Sequence, residues 1–171
     1  MPSPIDALSS LVQRIADLER RSNNHLRPGK VHSVDPEEGT FVLQYGTDED
    51  GQPVLSPDIP WTEQAGTIKT WSPPTVGEQM LMISPSGEIG AHSWGMKGGF
   101  SDANKQPHNK GGEYVMDVKD GAFRIHVDSA GNLNVSGNGK ETRTFKTMEL
   151  KASRIDHTQG GGGSPRGVST A

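Results

Sequence analysis

Six histidines, at positions 25, 32, 92, 108, 126 and 157, are the side chains best suited to acid–base or metal chemistry, and none sits in an H-x-H or H-E-x-x-H pair. Spaced this way they read as surface or strand-edge residues of one chain. His157 differs, because it lies near the end of a β-rich stretch. If three copies shared an axis there, one imidazole per copy would make a three-ligand metal site. Nucleophilic catalysis needs a serine against a histidine that a carboxylate orients. Ser93 follows His92, yet in an expected strand from Glu88 to Trp94 their side chains point to opposite faces. Glu78 and Glu88 are the carboxylates a glycosidase would use, but nothing in the sequence sets their separation. A phosphate loop ending at Gly139-Lys140 would need glycine at 134 and a hydroxyl residue at 141, where Asn134 and Glu141 stand. With no cysteine, thiolate nucleophiles, thiolate metal sites and disulfides are excluded together. No catalytic constellation emerges, and a non-enzyme is expected.

Charge narrows the partners. Between Arg27 and Lys105 there are five basic and eleven acidic residues, so this segment repels phosphate and nucleic-acid binding is not expected. From Gln106 to Thr158 the two signs nearly balance, eight basic against seven acidic. No apolar run reaches the length of a membrane-spanning helix, and Met1-Pro2-Ser3-Pro4 does not open a secretory leader.

The elements that would position these residues fall into four segments: 1–25, 26–105, 106–158 and 159–171. In the first, Pro4 and Asp6 open a helix whose apolar residues Leu8, Leu11, Ile15 and Leu18 follow the 3-4-3 spacing of a two-heptad seam. Asn23-Asn24-His25 and then Pro28-Gly29 end it. So narrow a stripe is marginal alone, and it fits either packing on its own domain or docking on a neighbouring subunit.

The second segment reads as short strands. Lys30–Val34 and Thr40–Tyr45 flank a turn at 35–39, with Phe41, Leu43 and Tyr45 on one face. Ile59-Pro60-Trp61, Thr67–Trp71, Met80–Ile83 and Glu88–Trp94 follow. Twenty-two glycines and twelve prolines in 171 residues, with only 30% hydrophobic, suit many turns and a small OB-fold barrel rather than a large helical core.

The third segment alternates more cleanly. Tyr114, Met116 and Val118 precede an Asp120-Gly121 turn; Phe123, Ile125 and Val127 precede a turn at 128–131; Leu133 and Val135 precede Gly137-Asn138-Gly139, and a threonine-rich stretch runs from Thr142 to Ile155. Each strand offers only two or three apolar residues inward, too few to offset a chain-entropy cost of roughly 1–2 kcal/mol per ordered residue. Several copies wound together would cover one another's edges; an ordinary meander packed on the barrel is the alternative. In the wound arrangement Phe123, Ile125, Val127, Leu133, Val135, Met148 and Leu150 form the inward ladder. The last segment, rich in glycine and serine, reads as a flexible tail and also has the composition of an appended linker.

Three stretches in this order carry a resemblance: Arg14-Ile15-Ala16-Asp17-Leu18-Glu19-Arg20-Arg21 leading into Gly29-Lys30-Val31, then Pro74-Thr75-Val76-Gly77-Glu78-Gln79-Met80-Leu81, then the Pro85-Ser86-Gly87-Glu88 turn. Over residues 5–158 the chain resembles the contractile-tail central spikes of bacteriophages and tailocins, the Mu- and P2-like baseplate assembly protein V family. The resemblance implies a homotrimer of N-terminal helix, OB-fold barrel and intertwined trimeric β-helix (β-prism). It implies a virion component of the tail baseplate, made in the host bacterial cytoplasm. The barrel end and the helix residues Leu8, Leu11, Ile15 and Leu18 would face the tail hub protein, and the β-helix would pierce the host outer membrane. Members often carry a terminal His-x-His that holds iron at the apex. Here Gln159 replaces the second histidine of His157-Thr158-Gln159, which leaves a three-imidazole site, a metal-free tip, or a tip capped by a separate protein. A lysozyme domain of the kind some relatives insert has no room between Phe100 and Gly112. A reading independent of the resemblance is an OB-fold binding module that recognises a peptide or glycan on a cell surface.

Overall fold

The computed structural model describes residues 3–154. The chain divides into two compact units, Met1–Gly111 and Gly112–Ala171. It is mainly β, with one N-terminal helix and antiparallel sheets.

Helix α1 spans Pro4–Asn24. Its start is set by a capping box: the Ser3 hydroxyl accepts from the Asp6 amide while the Asp6 carboxylate accepts from the Ser3 amide, and Pro4 occupies the first helical position. The His25 amide closes the last turn on the Arg21 carbonyl. His25 Nδ1 donates to the Ser84 carbonyl at 3.1 Å, tying that end of the helix to the first sheet.

Unit one holds strands β1 (Leu26–Asp35), β2 (Thr40–Thr47), β3 (Pro53–Leu55), β4 (Ile59–Pro60), β5 (Gln79–Ile83) and β6 (Trp94–Lys97). Their order is β3-β2-β1-β5-β6, with β4 paired to β2. No closed barrel is found among the described residues, so the sheet does not confirm the expected OB-fold. Among the described residues the ends of the sheet are linked by the parallel bridge between Trp61 and Gly95, in which the Thr62 amide donates to the Gly95 carbonyl at 2.8 Å, and β4 is only two residues long. One face is the core: Val31, Phe41, Leu43, Ile59, Trp61, Met80 and Met82 are buried, with Val34, Tyr45 and Ile89 packed on them. Gly95 has no alternative in this packing, since a β-carbon there would sit 2.3 Å from the Phe41 ring. Two expected strands are absent. Residues 67–71 form a loop, and 88–93 form a turn in which Ser93 Oγ accepts from the Gly90 amide and bonds Ser84 Oγ at 2.8 Å.

Unit two is a three-stranded antiparallel meander, β7 (Tyr114–Val118), β8 (Phe123–Val127) and β9 (Leu133–Gly137), with β8 central. Its first turn places Lys119 and Asp120 at positive φ, and the Asp117 carboxylate accepts from the Gly121 amide at 2.7 Å. The second turn is wrapped around Asp128, which accepts from the amides of Ala130 and Asn132 and from the Asn132 side chain. These bonds, the Asn132 side chain foremost, hold the Asp128 carboxyl below its ordinary value. Residues 141–154, expected to continue the β structure, form no strand. Met148, Leu150 and Ala152 do alternate there with Glu149 and Lys151, yet among the described residues the stretch pairs with no other strand.

Candidate assembly surfaces and polar clusters

The register of unit two stacks its apolar side chains in three rows: Tyr114, Val127 and Leu133; Met116, Ile125 and Val135; Val118, Phe123 and Gly137. Because side chains alternate along each strand, all nine positions share one face. Eight are apolar, and the ninth, Gly137, lies beside the Phe123 ring. The opposite face is polar apart from Val115. Arg124 pairs with Asp117 at 3.2 Å, and His126 Nε2 donates to the Glu113 carboxylate at 2.7 Å.

No residue of the apolar face is buried; Leu133 is 65% exposed. Five residues expected in the inward ladder, Phe123, Ile125, Val127, Leu133 and Val135, thus lie together on one face. Tyr114, Met116 and Val118 share it, which their alternation hinted at but only the pairing register fixes. Met148 and Leu150, expected beside them, lie in the strandless stretch 141–154 and are exposed. His157 lies outside the described residues.

A second uncovered surface runs along α1. Leu8, Leu11, Ile15 and Leu18 are all exposed, as are Ile5 and Val12, and every residue from Ser3 to Ala16 faces solvent. The helix end is held electrostatically. Asp17 accepts from Arg20 at 2.7 Å and Arg21 at 2.9 Å, and both arginines reach the Glu88 carboxylate. The Arg20 hydrogen bond, with Arg21 adding to it, holds the Asp17 carboxyl below its ordinary value.

A third grouping was not anticipated. Trp61 and Trp71 meet with ring centroids 5.2 Å apart, tilted by 58°. Glu63 ties the connecting loop by accepting from Thr70 Oγ1, the Ser72 amide and Trp61 Nε1, and the Thr70 bond leads in lowering its carboxyl pKa. Trp71 remains 61% exposed. Its signal in the sequence is two tryptophans ten residues apart around a glutamate, which alone says nothing of contact.

The residues weighed for catalysis are not brought together. The Ser93 hydroxyl is buried against Ser84, Glu78 accepts from the amide and hydroxyl of Thr75, and Glu88 serves the helix arginines.

The helix carries an exposed apolar stripe and the meander an exposed apolar face, and the comparisons point to phage spike proteins. Over 148 residues the chain is 28% identical to the spike protein of Escherichia phage P2, an alignment covering 81% of this chain and 67% of that protein. No family model matches the chain.

Proposed function

We propose that this protein is the central spike of a contractile tail baseplate, a non-enzymatic part in which three copies assemble with the meanders of unit two face to face. The observation that carries this reading is the nine-position apolar face with no buried member. At about 25 cal/mol per Å² of apolar surface removed from water, such a face is a substantial driving force once covered and a liability while bare. Three copies wound into a β-helix would cover the faces and pair the outer edges of β7 and β9, so unfolding one chain would break contacts with two others. That cooperativity suits a shaft pushed through a host outer membrane.

In this reading unit one is an OB-type module of the baseplate assembly protein V kind, seated on the tail hub protein and plugging the tube, in a virion assembled in the bacterial cytoplasm. The 28% likeness to the P2 spike protein supports it. A non-enzymatic role is supported by the structural partners of Ser93, Glu78 and Glu88, and the absence of nucleic-acid binding by the acidic balance of residues 27–105. At the apex, three copies of His157 would hold iron or another metal ion, or a separate protein would cap the tip; elemental analysis of the purified oligomer decides between them.

Sedimentation equilibrium of the full chain tests the assembly. A trimer at micromolar concentration is expected, and a stable monomer overturns the proposal. One observation favours a second reading, a module that recognises a peptide or glycan: Trp71 presents an aromatic face beside the polar groups of Glu63 and Thr70. A monomeric protein that binds a glycan array through Trp71 would establish it.

A further inference from the structure

The apolar stripe of α1 is wider than a two-helix seam and carries an unused pair of charges. With Leu8 and Ile15 at the first core position of each heptad and Leu11 and Leu18 at the second, Ile5 and Val12 fall on the flank beside them, giving three apolar columns. All six are exposed, and no apolar residue of the helix is buried. In the same frame Arg14 occupies the flank on one side of the core and Glu19 the flank on the other, one heptad further on. In a parallel, in-register coiled coil those two positions meet between neighbouring helices.

The intrachain pairing of the helix charges supports that frame. Asp6 is spent on the capping box, and Asp17, Arg20 and Arg21 pair with one another or with Glu88. Arg14 and Glu19 alone among the charged residues of the helix make no ion pair or side-chain hydrogen bond among the described residues. Five residues apart, they lie too far round the helix to reach each other. An antiparallel arrangement sharing the same core would set Arg14 against its own copy, which is repulsive, and leave Glu19 opposite Ile5 with no cation to pair.

We infer that α1 is an interaction surface for its own kind: the helices of three copies form a short parallel coiled coil, with Leu8, Leu11, Ile15 and Leu18 in its core and Arg14 of each copy paired to Glu19 of the next. The stoichiometry rests on the trimer proposed above; the parallel pairing of helices does not. A hub protein lying in the same stripe is the competing occupant.

The cysteine-free chain makes the test direct. Leu11→Cys and Gln13→Cys are each made in the full chain and mildly oxidised. Core positions of parallel helices bring β-carbons within disulfide reach, whereas position 13 lies on the outer side. Leu11→Cys is expected to run as a covalent dimer on a non-reducing gel and Gln13→Cys as a monomer. The charge pair is read on the Leu11→Cys background: Arg14→Glu should sharply lower the cross-linked fraction, and adding Glu19→Arg should restore it. If sedimentation shows an oligomer while Leu11→Cys cross-links no better than Gln13→Cys, the coiled coil is wrong and the trimer reading stands. If the chain sediments as a dimer that cross-links through Leu11→Cys, the trimer reading falls and the parallel helix pairing stands.

Discussion

The two units use the same local chemistry and reach opposite ends. In unit one, strands of alternating residues enclose Phe41, Leu43, Met80 and Met82 until they are inaccessible to water. In unit two, strands of equally clean alternation leave every residue of 112–154 at least partly exposed. The difference is a second layer. The sheet of unit one is closed over on its core face by Ile59 of β4 and by Trp61 and Ile89 from its connections, while the meander has turns too short to fold back over it. Among the described residues of unit two, no second layer covers the apolar face of the sheet.

That contrast can be broken by substitution. The largest effect is expected from Ile125→Asp, which puts a carboxylate in the middle row of the exposed face. If copies share that face, each chain buries an unpaired charge at a cost of several kcal/mol, on the order of 3–5. Sedimentation should then report loss of the oligomer with the unit-one fold intact by near-ultraviolet circular dichroism. An unchanged oligomer would mean that the face is covered differently. Next comes Phe41→Ala, which leaves a cavity in the enclosed core and should cost about 3–5 kcal/mol in denaturant unfolding of unit one. The oligomer should persist where the protein is still folded. Ser93→Ala strands the buried Ser84 hydroxyl and should cost roughly 1–3 kcal/mol in the same assay. The smallest effect concerns the second turn of the meander. The Asp128 carboxyl is lowered in the folded chain from an ordinary 3.8. Its contribution is therefore present above that value and is lost as pH falls through the lower folded one. Asp128→Ala should lower the melting temperature at pH 7 and make little difference near pH 2, a sign that thermal melts at the two pH values can check.

The sequence announced some elements and concealed others for identifiable reasons. β7, β8 and β9 were legible because apolar and polar residues alternate along them, Val115 apart, and Asp-Gly and Asp-x-x-Gly turns separate them. The helix was legible from Pro4, Asp6 and its heptads, while the Ser3 cap came only with the structure. β1 begins at Leu26, four residues before the expected Lys30, because Pro28-Gly29 reads as a terminator. Over residues 26–29, however, β1 pairs with β5 alone, so on its other side no ladder depends on the proline amide. β3 opens on Pro53 at the sheet edge and is too short to show a period. The expected strands at 67–71 and 88–94 failed where side-chain bonds won over alternation: Glu63 gathers the first into a loop, and Ser93 folds most of the second into a turn. Of the candidate surfaces, the shared face of Phe123, Ile125, Val127, Leu133 and Val135 was legible, while the row partners Tyr114, Met116 and Val118 needed the register. The Trp61–Trp71 contact depends on a loop path that no periodicity encodes.

β9 is the outermost strand of its meander, and all five of its residues face solvent. A newly made chain therefore displays a ready docking template from the moment that strand forms. Any other bare strand that the chain meets can pair along that edge, whether or not it belongs to a suitable partner.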